Sequence, residues 1–324
     1  MKIALFDPYL LKFTKDMVDH WVAQGHEVRV ERYYNPANAE WADIIWFDTC
    51  DNNLASATNP GSAILDDSNN YSPWDLHDMD LTGKKIIVRP IDIEVWQGAQ
   101  HAAKWDLVDE VIFIAPHIRD IFDINLNKPA HVIPCSVNLD RYRYREHSPG
   151  LNVGIVSEKW TSKGTDLILQ VAEKLQRTRP YKFSWLGRWS DHPWEIKYFE
   201  DFIKHKDLNF EFIEWIEGDN AVDEFLEDKD YLLHASHKEG FSYATAEAMA
   251  KGIKPVTHRF YGADDLWPGV TWSTIDEAVG VIAGANIEGT TGWYKSEKYR
   301  QYLVDHGYTV PQMMEKIDKV IKGE

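Results

Sequence analysis

Short β-branched or aromatic runs recur along the first half of this chain, at Lys2–Phe6, Glu27–Glu31, Asp43–Phe47, Lys85–Val88, Glu110–Ile114 and His131–Pro134. Amphipathic stretches fall between several of them. In Thr14–Gln24, the residues Met17, Val18, Trp21 and Val22 form one apolar stripe, and Gly25 follows as a C-terminal cap. A second series begins after the turn-rich segment Arg145–Asn152 (REHSPGLN). Its strands are expected at Val153–Val156, Phe183–Leu186, Asn209–Ile213, Asp230–Leu233 and Lys254–Thr257. Its helices are expected at Thr165–Leu175, Ile196–Lys204, Val222–Glu227 and Tyr243–Lys251. This rhythm predicts an α/β chain of two Rossmann-like halves, each a doubly wound parallel sheet. The halves are read as residues 1–147 and 148–294, with 295–324 a helical segment crossing back to the first half. A ligand site is then expected in a cleft facing the carboxyl ends of both sheets. Asp51–Asp80, rich in Asn, Asp, Ser and Pro, breaks the pattern as a surface excursion or a substrate-facing loop.

Composition narrows this picture. The chain has 324 residues, enough for two cores. It has no run of 18 apolar residues, so no integral membrane span is expected. MKIALFDPYL enters a strand directly, and the two cysteines, Cys50 and Cys135, build neither a disulfide framework nor a zinc site. The expectation is a soluble, cytoplasmic protein, and nothing in the sequence specifies an oligomeric state. A net charge of −17 is a poor field for holding a polyanion. Arg141, Arg143 and Arg145 alternate with tyrosines, as in an exposed edge strand or linker more than a basic groove.

Candidate chemistry concentrates in HKEGFSYATAEAMAKGIKPV, His237–Val256. A strand ends just before it, a loop contains Gly240, and a helix follows with Ser242 as N-cap and Gly252 past its end. Backbone N–H groups at the positive end of such a helix suit a phosphate. Glu239 lies beside that position, while Glu247 lies on the helix four residues after Tyr243. Two carboxylates beside a phosphate need a neutral partner joined to it, and sugar hydroxyls meet that need. The ligand so described is a nucleotide-diphosphate sugar.

These residues also carry a family resemblance. Glu239-Gly240-Phe241-Ser242, then Glu247-Ala248-Met249-Ala250, Gly252 and Pro255-Val256 resemble the E-x7-E signature of retaining family-4 glycosyltransferases, which have the GT-B fold. GIVSEKWTSKGTDLIL, with Lys163-Gly164, resembles the family's first strand–loop–helix of the C-terminal domain, and VIPCSVNLDRY resembles the segment before its interdomain linker. The similarity runs from about residue 131 to 267. It implies that Glu247 binds ribose and Glu239 the donor sugar, and that the amides of Phe241, Ser242 and Tyr243 hold the distal phosphate. It also implies that Lys163 neutralises the leaving diphosphate and that Trp215 and Ile216 lie against the nucleobase. No metal or other cofactor is implied, the nucleotide sugar being a co-substrate.

Three departures stand out. The family's arginine before the lysine is replaced by Glu158, so Lys159 or Arg188 is expected to supply the second cation. FDPYLLKF replaces a glycine-rich loop after the first strand. The family's histidine is absent from IIVRPIDIEVW, which offers Arg89 and Asp92; Asp92 is expected to touch sugar or acceptor, or to act as a cap or pair with Arg89. His234 and His237 read as core and loop residues, and a pair of Glu247 with Lys251 competes with its ribose role. The function expected is retaining transfer from a nucleotide-diphosphate sugar, UDP favoured, to a glycan or lipid-linked saccharide. The alternatives are a phage-type enzyme glycosylating hydroxymethylated bases in DNA, and an inactive sugar-nucleotide-binding scaffold.

Overall fold

The structure is a computed structural model, and it describes all residues except 59–75, 77–78, 190–191, 216–217, 219 and 285–295. It contains two parallel six-stranded sheets flanked by helices. The first is built from β1 (Lys2–Phe6), β2 (Glu27–Glu31), β3 (Ile44–Phe47), β4 (Lys85–Val88), β5 (Glu110–Phe113) and β6 (Ala130–Val132), in the order β2-β1-β3-β4-β5-β6. The second is built from β7 (Asn152–Val156), β8 (Lys182–Leu186), β9 (Phe210–Ile213), β10 (Tyr231–His234), β11 (Lys254–His258) and β12 (Thr271–Trp272), in the order β12-β11-β10-β7-β8-β9. Apart from the two-residue β12, every strand lies within one or two residues of a run read from the pattern. Parallel strands covered on both faces are apolar throughout, so they stand out from their flanks.

Each sheet reverses direction once, and the carboxyl ends of strands at such a switch point leave a crevice. In the second sheet the switch lies between β7 and β10, which pair directly through Tyr231↔Val153 and Leu232↔Gly154. The loops leaving these two strands therefore emerge side by side. In the first sheet the switch lies between β1 and β3, paired from Ile3↔Ile44 to Phe6↔Phe47.

The chain divides into Met1–Cys135 with Val310–Glu324, and Ser136–Thr309. Both boundaries differ from 147/148 and 294/295, for physical reasons. Residues 138–147, polar in sequence, are tied to the second unit. Arg145 N–H donates to the carbonyl of Lys251 at 3.1 Å. The Arg300 guanidinium donates to the carbonyls of Leu139, Tyr142 and Ala250 at 2.8–3.0 Å. Arg300 lies on the helix Ser296–Asp305, which thereby stays in the second unit. The C-terminal helix Val310–Lys322 belongs to the first, burying Met313, Met314 and Ile317 beside Ile3, Leu5 and Trp21. The helical pattern read as one segment is broken at Gly307, whose φ is +75°. Of Asp51–Asp80, Asn52–Thr58 is helical, and most of the remainder lies outside the described residues.

Candidate donor-binding site

β10 is buried along its length, and its last residue, His234, opens the loop that leads to the helix Tyr243–Lys251. Ser242 sits at the N-cap with φ +69°, a conformation a non-glycine residue adopts only under constraint. Its hydroxyl bonds the Thr245 hydroxyl at 2.8 Å, and Thr245 bonds Thr257 at 3.0 Å, so Ser242 makes no side-chain cap to a backbone N–H. The helix therefore opens on backbone donors that have no partner within it, at the positive end of its dipole. Phe241 holds the loop from beneath: its buried ring meets Tyr243, Trp267 and Tyr308 at 5.1–5.5 Å, and its carbonyl accepts from Trp267 Nε1 at 2.9 Å. Gly240, just before it, is buried.

The neighbouring loop, after β7, brings Lys163. Gly164 has φ +68°, and a Cβ there would collide with the carbonyl of Ala235. Only glycine lets the two loops lie this close. They are also joined by the His237 N–H donating to the Ser162 carbonyl at 3.1 Å. The consequence is an ion pair at the switch point: Lys163 Nζ donates to Glu239 Oε1 at 2.7 Å, with only 14% of the Glu239 side chain exposed. His234 Nε2 approaches the same oxygen at 3.3 Å. Burial alone would raise the Glu239 carboxyl, but Lys163 and His234 outweigh it and hold the group well below the usual carboxylate range.

Glu247 is half-buried on the same helix and accepts from Tyr142 Oη at 2.7 Å. Burial, and then Glu247 itself, push the Tyr142 phenol far up, so it stays protonated as a donor. The Glu247–Lys251 pair is not formed. Lys251 is buried and bonds Asp223 at 2.5 Å and Glu227 at 2.7 Å instead.

The two candidate second cations part company. Lys159 is 1% exposed; its ammonium donates to the carbonyl of Gly187 and sits 4.8 Å from the centroid of the Trp189 ring. Burial pushes its pKa down to about 8, with Glu214 opposing. Arg188 is exposed on the loop directly after β8, the strand beside β7. Trp215 is half-buried just past β9, while Ile216 lies outside the described residues.

Asp92 belongs to the first unit, at the N-cap of the short helix Ile93–Trp96, and makes no side-chain cap bond. Arg89 forks onto both oxygens of buried Asp48 at 2.7 and 2.9 Å. In FDPYLLKF, Asp7 accepts from the N–H groups of Tyr9 and Leu11, each at 2.8 Å, and from the Thr14 hydroxyl at 2.6 Å. This holds Leu10 and Leu11 at φ +46° and +69°, backbone geometry that glycines would otherwise supply. Among the described residues no group of three or more His, Cys, Asp or Glu could hold a metal ion. No described helix is long and apolar enough to cross a membrane.

The sequence pattern had not indicated the roles of His234 and Tyr142. Tyr142 reaches Glu247 across 105 residues, a separation that leaves no local trace. His234 carries a weak signal, a polar residue ending an otherwise apolar strand.

Comparison with known proteins agrees with this architecture. Residues 152–267 match the family model described as glycosyl transferases group 1. No curated protein matches the chain. Among solved structures, Anabaena HepE in complex with UDP has a TM-score of 0.74 at 14% identity, covering 100% of both chains. The same protein in complex with UDP-glucose gives 0.73 at 15%. A glycosyltransferase from Rickettsia africae gives 0.70 at 13% identity, covering 99% of this chain and 98% of that one. A point mutant of S. aureus TarM, in complex with fondaparinux, alpha-GlcNAc-glycerol and UDP, gives 0.60 at 17% identity over 74% of this chain. The chain spans about half of TarM, 51% of its length. The fold is the two-domain α/β architecture of the GT-B glycosyltransferases.

Proposed function

We propose that the protein is a retaining glycosyltransferase that takes a sugar from a UDP-sugar and passes it to a saccharide acceptor, a glycan or a lipid-linked sugar. The observation that carries this reading is the Lys163–Glu239 pair at the β7/β10 switch point, with Glu247 one turn into the helix that the same loop opens. The helix N-terminus receives the distal phosphate through the amides of Phe241, Ser242 and Tyr243. Glu247, aimed by Tyr142, accepts the ribose hydroxyls, and Glu239 accepts hydroxyls of the transferred sugar. Trp215 flanks the base. The family match over residues 152–267 and the UDP-bound HepE complex support the donor class. The saccharide ligands of the TarM complex support the acceptor class.

In the reaction, an acceptor hydroxyl oxygen attacks the anomeric carbon on the face that the diphosphate leaves. The C1–O bond to the distal phosphate breaks, that phosphate oxygen takes the acceptor proton, and the configuration is retained. Charge grows on the diphosphate, and Lys163 with Arg188 meets it there, so the scheme needs no metal.

Incubation with UDP-glucose and a panel of saccharides, followed by NMR of the product, tests this. The expected product is the α-glucoside, with turnover falling at least about 100-fold in Glu239→Ala. A β-linked product would overturn the retaining assignment, and undiminished turnover in the variant would overturn the role of Glu239.

A further inference from the structure

His234 belongs to this site although nothing in its strand requires a histidine. It ends β10 after Tyr231, Leu232 and Leu233, all fully buried, and is itself only 5% exposed, with the Phe260 ring 6.3 Å away. An aliphatic residue would suit such a position better, because burying imidazole requires partners for two ring nitrogens. Only one partner is present. Nε2 faces Glu239 Oε1 at 3.3 Å, whereas Nδ1 is buried with no hydrogen-bond partner among the described residues. A carboxylate kept ionised only accepts, so the ring carries its hydrogen on Nε2 and donates it to Glu239.

We propose that His234 is a positioning residue that fixes the Glu239 carboxylate for the sugar of the donor. The proposal rests on the donor-site reading given above. Lys163 also donates to Oε1, at 2.7 Å, but in that reading its ammonium is drawn to the diphosphate as the donor binds. His234 offers Glu239 a partner that does not answer to phosphate: buried on the central strand, it keeps the carboxylate in one orientation while Lys163 is shared between two anions. Its effect is confined to the sugar and does not extend to the nucleoside, which Glu247 and Tyr142 serve from the other end of the site.

Calorimetric titration of the full chain with UDP and, separately, with UDP-glucose tests this, using wild type, His234→Leu, His234→Gln and Glu239→Ala. Glutamine keeps an N–H donor near the Nε2 position, and thermal melts confirm that each variant is folded. The expected result is that His234→Leu weakens UDP-glucose about tenfold, the loss of one charge-assisted hydrogen bond. UDP affinity stays within about twofold, and His234→Gln recovers most of the loss. The proposal is overturned if His234→Leu binds UDP-glucose as wild type does, if it weakens both ligands equally, or if glutamine rescues nothing. Wild type binding neither ligand, or Glu239→Ala binding UDP-glucose undiminished, would instead refute the donor site itself and take this inference with it.

Discussion

Among single residues, Lys159 and Arg188 show how burial decides between two candidate cations of the same charge. The Lys159 ammonium is spent on the carbonyls of Gly187 and Ile213, at the second of these over 3.4 Å, and on the Trp189 ring. Arg188 stands exposed on the next loop, with a guanidinium fork suited to phosphate oxygens. Titration with UDP should therefore show Arg188→Ala weakening binding by about tenfold or more, and Lys159→Met by no more than about threefold. The reverse order would mean that Lys159 leaves its carbonyls when ligand binds. Glu94 makes a separate prediction about stability. Burial raises its carboxyl from 4.5 to about 7, against the N–H groups of Ile91 and Asp92 that it accepts at 2.6 and 3.2 Å. The folded state thus binds this proton more tightly than the unfolded chain. Its contribution is fully present below about pH 4.5, and about 3 kcal/mol is lost as pH rises to 7. Urea unfolding at pH 5 and pH 8 should show wild type losing that much relative to Glu94→Gln; parallel behaviour of the two proteins would contradict it.

The strand–loop–helix units are where the site was most legible. The helix Tyr243–Lys251, its flanking Gly252 and the positions of Glu239 and Glu247 follow from local pattern, because spacing of eight along a loop and one helix is a local property. Lys163-Gly164 was legible as a pair, but only the structure shows why the glycine is needed: β7 and β10, far apart in sequence, are neighbours in the sheet. Gly164→Ala should accordingly cost about 2–4 kcal/mol in unfolding free energy, combining a left-handed backbone with a collision against Ala235. Gly25→Ala is the control, with φ +82° and open space around the added carbon, and should cost only about 1–2 kcal/mol. Equal losses would remove the close approach of the two loops from the explanation. The segment 136–147 was illegible for the opposite reason. It was read with the first half, and its attachment to the second depends on Arg300 and Lys251, more than 100 residues downstream.

For the whole molecule, two doubly wound sheets were foreseeable because parallel strands and their crossover helices repeat a pattern of apolar positions along the chain. The boundaries were not, since they depend on which helix each segment packs against; the split of the C-terminal residues between Ser296–Asp305 and Val310–Lys322 is the clearest case. For a chain of net charge −17, the proposed binding of a nucleotide diphosphate calls for local design: a helix terminus, Lys163 and Arg188. The central claim is that this local design forms one donor site. It is tested most directly by thermal unfolding of wild type and Glu247→Ala with UDP-, GDP-, ADP- and dTDP-glucose. Saturating UDP-glucose should stabilise the wild type by about 3–4 kcal/mol at 100 to 1,000 times its dissociation constant, and the variant should lose most of that shift. No shift with any nucleotide sugar, or an undiminished shift in Glu247→Ala, would contradict the account.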